Sequence, residues 1–336
     1  MSDPTGSVPR ERPRKILSNI SAVSWEHPAD RAALQAVRAV PGFNEAVRKI
    51  VGFFGERGIR LIFQANAVRV GPTQFPRLHQ LMTEVTTTMD WPEQPPLFVS
   101  QTPMVNAGAV GVDHPFIVLN SGAVNLLDDD ELRMLLGHEL GHVMSGHTLY
   151  RTVTILILEL GFRNLPFLAG IVLLPIQLAL LEWYRKSELS SDRAGLLTSQ
   201  DPAAAMRVFL KLAGGGSMKE MDLEAFMVQA REYESQGGPI DAIYKILNTL
   251  GMTHPFHTLR AAELQRWIDG GAYQKIIDEQ YTHRGAEEQE RPFAADIGEA
   301  ARHYAQEAKD TVSQVTDAAK RAAAAFTDAL KSKDGE

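Results

Sequence analysis

Gly137-His138-Glu139-Leu140-Gly141-His142, preceded by Leu127-Asp128-Asp129-Asp130-Glu131, is the stretch on which the fold of this 336-residue chain turns. In a helix, His138 and His142 lie only about 40° apart around the axis, so both imidazoles can face one metal ion. Glu139 then faces the water that such an ion holds, which is the H-E-x-x-H pattern of zinc-dependent peptide hydrolysis. Asp128 with Glu131 three residues on reads as a capping box, and the run of carboxylates suits the positive end of a helix dipole. A helix is expected from about residue 129 to about residue 146. His147 would lie about 180° from His138 on it and is expected to be an ordinary polar residue at the helix end. Thr148 stands where the longer H-E-x-x-H-x-x-G-x-x-H pattern needs a histidine.

A catalytic zinc takes three protein ligands and keeps one position open. The chain has no cysteine, so the third ligand must be His, Asp or Glu. In Trp183-Tyr184-Arg185-Lys186-Ser187-Glu188-Leu189-Ser190-Ser191-Asp192-Arg193-Ala194-Gly195, Glu188 and Asp192 stand four apart on one face of a second expected helix. Glu188 could bind the metal while Asp192 accepts a hydrogen bond from the far nitrogen of a ligand histidine. The competing reading is a solvated face on which Lys186, Glu188, Asp192 and Arg193 pair with one another. Downstream of H-E-x-x-H the ligand reading is preferred.

The order of these motifs, with Asn106-Ala107 before them and Thr253-His254-Pro255 and Arg260 after, resembles the HtpX-like and CAAX-prenyl-protease-like family of zinc metallopeptidases, a gluzincin family. The resemblance runs from about Trp25 to about Trp267. It implies one zinc ion on His138, His142 and Glu188, with Glu139 as general base and Asp192 supporting a ligand. It also implies that Asn106, on an edge strand at 103–109, holds the substrate backbone. Arg260 belongs to the family's T-H-P-x-x-x-x-R signature and is assigned to substrate binding. His254 is open between two roles, an oxyanion donor or part of a turn built around Pro255. Gly108-Ala109-Val110-Gly111 is less bulky than the continuation in many members of that family, which leaves the groove's shape undefined.

Composition sets the outer limits. A hydrophobic content of 44% and a charged content of 22% are those of an ordinary globular chain, long enough for one large domain. A formal net charge of -7 argues against nucleic acid as a partner, because a phosphate-binding face needs a basic excess. The Pro- and Arg-rich start lacks the apolar core of a secretory signal, so a cytoplasmic location is expected, with membrane association left open.

Three parts are expected: a basic, disordered leader over 1–24, a metallopeptidase domain over 25–282, and a charged linker with an amphipathic helix over 283–336. Two helices are read over 28–54, a strand at Ile59-Arg60-Leu61-Ile62-Phe63, a helix over 77–89, and strands at Leu97-Phe98-Val99 and Phe116-Ile117-Val118-Leu119. Beyond Gly195 the pattern is helical at 202–213, 221–235, 239–250, 258–267 and 272–280. The fold class is therefore α+β and predominantly helical, a zincin-like domain with a small sheet beside the active-site helix.

Within 152–183, residues 165–181 carry no formal charge, which is just the lower limit of about 17 residues for crossing a bilayer. A buried helical hairpin or peripheral contact is preferred to a true span. In the C-terminal part Ile297, Ala301, Tyr304, Ala308, Val312, Val315, Ala319, Ala322, Phe326 and Leu330 recur at spacings of three and four. That stripe is mostly alanine, so a loosely attached helix is expected, with docking on a partner, self-association or a membrane surface as the other readings.

Taken together, these residues point to a zinc-dependent endopeptidase acting on unfolded or flexible polypeptide, in the manner of protein quality control. The rival is a zinc-stabilised polypeptide-binding or scaffold protein without catalysis. Glu139 argues against the rival, since a structural zinc needs no base beside it.

Overall fold

The computed structural model describes residues 13–40, 42–164, 167–235 and 255–286. In chain order these form α1 (Pro28–Ala39), α2 (Phe43–Gln64), β1 (Ala67–Arg69), α3 (Pro76–Thr88), β2 (Leu97–Ser100), β3 (Ala107–Val110), β4 (Phe116–Asn120), α4 (Ser121–Leu126), α5 (Asp129–Met144), α6 (Thr148–Asn164) and α7 (Phe167–Ser199). There follow α8 (Pro202–Gly214), α9 (Leu223–Ser235), α10 (His257–Asp269) and α11 (Ala272–Ile277). The architecture is the expected helical α+β domain. The expected helix over 239–250, His254 and the C-terminal helix lie outside the described residues.

Helix α5 is the axis of the molecule. Asp128 accepts from the Glu131 backbone N–H while the Glu131 carboxylate accepts from the Asp128 N–H, closing the capping box. Glu131 is fully buried and also meets Lys211 and Arg207, at 2.5 and 3.3 Å. From Glu131 to His142 every residue is buried, because β3 covers one flank while α3, α7 and α8 cover the others. A helix enclosed all round needs no apolar stripe, so it can carry His138, Glu139 and His142 inward without breaking an amphipathic pattern.

The contact of α5 with α7 is close because its residues are small. A Cβ on Gly141 would stand 2.5 Å from the Ala194 Cβ, and one on Gly195 would stand 2.6 Å from the Met134 carbonyl oxygen. Backbone cannot yield as a flexible side-chain tip can, so Gly195→Ala is expected to destabilise the fold by about 1–3 kcal/mol. Urea denaturation measures this, and a midpoint equal to wild type would mean that the helices slide past each other freely. The crossing matters for chemistry because Asp192 and Glu188 lie one and two turns before Gly195.

The four strands form one sheet in the order β1-β2-β4-β3, with β2 and β4 parallel and the other pairs antiparallel. β3 is thus an edge, with Ala109 opposite Ile117, and its free side is turned toward α5 and α6. Thr152 on α6 accepts from the Gly111 N–H at 2.9 Å, tying the end of this strand to the helix.

Three expectations change, and one short strand had no counterpart among them. Residues 59–63 are helical, inside α2, whose only non-helical backbone is at Gly55 (φ 62°). A β-branched and aromatic run reads as strand locally, and the surrounding helix overrides it. β1, three residues long, gave no periodic signal. Leu17 and Ile20, in the stretch expected to be a disordered leader, are fully buried in the main core. Ser21 donates to the Thr282 carbonyl, and Ile20 pairs with His283. The folded body therefore takes in 13–24 and 283–286, beyond the expected limits of 25 and 282.

The 152–183 interval supplies parts of α6 and α7. Val153, Ile157, Ile176, Leu180 and Trp183 pack with Ala33, Val37 and Phe43 into a second core. Among the described residues no helix is long and apolar enough to cross a membrane.

Candidate metal centre

His138 and His142 leave α5 on the side that faces α7, and Glu188 meets them from α7. The two Nε2 atoms are 3.2 Å apart. Each lies 3.4 Å from the nearer carboxylate oxygen of Glu188. Two ligands at about 2.0–2.2 Å from a tetrahedral zinc stand roughly 3.4 Å apart, close to the separation of the two nitrogens and to that of each nitrogen from one oxygen of Glu188. Among the described residues this is the one group of three or more His, Asp and Glu side chains placed to share a metal. All three are buried, and two nitrogens with one oxygen suit zinc without a thiolate.

The electrostatics differ between the two histidines. Burial alone would lower the proton affinity of His138, but the charge of Glu188 and the hydrogen bond to Asp192 outweigh it and push the imidazole up to about 9. His142 moves the opposite way, held well below the ordinary value by burial and by the charge of Arg151. Arg151 donates from Nη1 to His142 Nε2 at 2.8 Å and to Glu188 Oε1 at 2.5 Å, with its guanidinium over the Tyr184 ring. A positive group therefore already faces two of the three ligand atoms, and a metal ion would have to displace it.

The flanking groups are arranged around the ligands. Asp192 Oδ1 is 2.9 Å from His138 Nδ1; with that nitrogen donating, Nε2 is the atom left to face Glu188 and to take a metal. Arg260, from α10, donates to both oxygens of Asp192, at 2.8 Å from Nε and 2.5 Å from Nη2. Its Nη1 is 3.5 Å from Glu188. Arg260 is thus buried among the side chains of the cluster. Burial would raise the Asp192 carboxyl, but the Arg260 charge and hydrogen bonds hold it below the ordinary carboxylate range.

Glu139 points the other way, toward the sheet, where its carboxylate accepts from the Ala109 N–H of β3 at 2.7 Å. Burial raises its proton affinity, with His138 and Arg151 opposing. It therefore sits between the metal ligands and the edge strand. Asn106 is exposed just before β3; its side chain accepts from the Ala107 N–H and its carbonyl from the Asn120 N–H.

Three residues of this centre were not read from the sequence. Arg151 and Asp30 carry no local signal at all. His147 is buried, with its Nδ1 3.1 Å from His142 Nδ1, so it is not an ordinary polar residue at a helix end. An angle of about 180° holds only for a helix that runs on to 147, whereas α5 ends at Met144 and Gly146 (φ 66°) turns the chain back. A glycine just past the last helical residue was the available clue.

Residues 72–268 match the model of peptidase family M48. The chain is 32% identical over 273 residues to the plastoglobule-localized metallopeptidase 48 of Arabidopsis thaliana, covering 80% of this chain and 79% of that one. It is 28% identical over 225 residues to a protease HtpX homolog of Pseudarthrobacter chlorophenolicus, covering 60% of this chain and 75% of that one. A protease HtpX homolog of Nostoc sp. is 24% identical over 209 residues, covering 54% and 71% respectively. No solved structure matches the chain significantly.

Proposed function

This chain belongs to peptidase family M48 and is a metal-dependent peptidase acting on polypeptide, and we propose that its metal is one zinc ion and that its substrates are unfolded or flexible chains. The observation that carries the zinc assignment is the convergence of His138 Nε2, His142 Nε2 and the Glu188 carboxylate, each nitrogen 3.4 Å from one carboxylate oxygen and 3.2 Å from the other nitrogen. Zinc held there would polarise the scissile carbonyl and the attacking water. Glu139 would take the proton from that water and return it to the leaving amine, a role suited to a buried carboxylate with raised proton affinity.

An extended peptide added to the outer edge of β3 would take over the outward N–H groups of Ala107, Ala109 and Gly111, which Asn106, Glu139 and Thr152 hold in this structure, and this favours substrates whose backbone is free to pair. Asn106 would hold that backbone at the head of the strand. Asp192 and Arg260 act behind the ligands: the carboxylate orients His138 and the guanidinium fixes the carboxylate. His254 is proposed as a second donor to the developing oxyanion. A role in clearing unfolded chains, in the cytoplasm and with peripheral membrane contact, is in keeping with such a substrate range and with a chain that has no cysteine; cell fractionation reads the location directly.

Removal of the metal is the test. Purified protein is expected to carry one zinc per chain by elemental analysis and to cleave unfolded casein. Dialysis against a chelator should abolish cleavage, and one equivalent of zinc should restore it. Full activity in zinc-free protein would exclude the assignment.

A further inference from the structure

Behind His142 lies a buried chain of polar groups that the proposed reaction does not use. His147 Nδ1 is 3.1 Å from His142 Nδ1, and His147 Nε2 is 3.1 Å from Asp30 Oδ2. Asp30 comes from α1, outside the residues matched by the family model. It is 1% exposed. Its Oδ1 accepts from Trp183 Nε1 at 2.9 Å and its Oδ2 from Ser190 Oγ at 2.5 Å. The Ser190 hydroxyl in turn accepts from the His27 N–H, which commits its own hydrogen to Asp30. Trp183 also stacks edge-on against the His147 ring.

These contacts fix where the protons sit. An ionised carboxylate can only accept, so the third group facing Asp30, His147 Nε2, must carry a hydrogen. A neutral His147 then has a lone pair on Nδ1, and the facing His142 Nδ1 must donate to it. His142 Nε2 is left with its lone pair pointing at Glu188 and His138, and Arg151 Nη1 donates to that lone pair. The reverse assignment would put a hydrogen on His142 Nε2, against the Arg151 N–H.

We infer that Asp30 and His147 are positioning residues for the metal: the carboxylate, acting through His147, sets the tautomer and ring orientation of the ligand His142. His138 has Asp192 directly on its far nitrogen, and His142 has a carboxylate one imidazole further away. The inference rests on the reading of His142 as a ligand. It also gives α1 a part in the metal centre, since a carboxylate that hydrogen-bonds behind a ligand histidine raises its basicity and holds its plane.

Asp30→Asn is the decisive variant, because it keeps the shape and reverses the proton direction. The new amide would donate to His147 Nε2, so His147 Nδ1 would donate to His142 and the hydrogen on His142 would move to Nε2, displacing Arg151 Nη1 from its contact with that atom. The same substitution in a Ser-His-Asp triad leaves geometry intact and traps the wrong tautomer. In metal-free Asp30→Asn, 15N NMR of histidine-labelled protein should show the protonated nitrogen of His142 moved from Nδ1 to Nε2. Zinc affinity, measured by competition with a chromophoric chelator, should fall about 10- to 100-fold.

His147→Asn, whose amide oxygen can stand in for Nδ1 as an acceptor, should bind zinc more tightly than His147→Leu. This ordering keeps the test decisive if Asp30→Asn fails to fold. Wild-type zinc affinity in Asp30→Asn, or equal affinities in the two His147 variants, would overturn the inference alone. Wild-type zinc affinity in His142→Ala would overturn the ligand reading beneath it.

Discussion

Glu139→Gln is expected to lower kcat by about two to four orders of magnitude, the usual span for loss of a general acid–base group, while leaving zinc content and KM close to wild type. Glutamine has the shape of glutamate, and its amide oxygen can still accept from the Ala109 N–H, so the link between α5 and β3 survives. The ligand set is untouched, because Glu139 faces the edge strand while His138, His142 and Glu188 face one another across α5 and α7. What disappears is proton transfer. At about 1.4 kcal/mol per decade, the loss amounts to roughly 3–5 kcal/mol of transition-state stabilisation. Steady-state cleavage of a quenched fluorescent peptide, with elemental analysis of the same sample, reads both quantities. A variant that cleaves at the wild-type rate would remove Glu139 from the mechanism.

The split between kcat and KM separates this role from a structural one. Loss of the carboxylate through displacement of β3 would weaken substrate binding together with turnover, because β3 is the edge proposed to receive the peptide. A drop confined to kcat places the effect in the transition state.

The parts of this centre that were legible in the sequence are those carried by short spacings. Two histidines four apart, a carboxylate beside the first, and a Glu and Asp four apart on a later helix each express helical geometry within one turn. The capping box that starts α5 was legible for the same reason. What could not be read is long-range. Asp30 stands 153 residues from Trp183 and 160 from Ser190, its hydrogen-bond partners. Arg151 reaches Glu188 across 37 residues, and Arg260 reaches Asp192 across 68. No periodicity records such pairings, because they are set by which helices cross rather than by any one helix. Residues 59–63 show the opposite failure, a local strand preference overruled by the helix around it.

Arg260→Leu follows from one of those long-range pairs and is expected to destabilise the metal-free fold by about 3–5 kcal/mol. Asp192 is 1% exposed and receives both Nε and Nη2 of Arg260, a two-pronged geometry that only arginine offers. Without that guanidinium the carboxylate would be a buried charge with only the His138 imidazole beside it. It would take up a proton, and the new hydroxyl would compete with the hydrogen on His138 Nδ1. Zinc affinity should therefore fall along with stability. Arg260→Lys keeps the charge, loses the fork and should lie between the two.

The dependence on pH gives the sign. In the wild type the folded Asp192 carboxyl lies below its ordinary value, because Arg260 outweighs burial. Its contribution to stability is therefore complete above the unfolded-state value of about 3.9, and is lost as pH falls through the folded value. In Arg260→Leu burial dominates and raises the folded value above about 3.9, so stability should fall as pH rises from there. Urea denaturation of metal-free protein across that range measures both slopes. A variant as stable as wild type, with the same pH slope, would mean that Asp192 does not depend on Arg260 for its charge and that His138 is oriented by other groups.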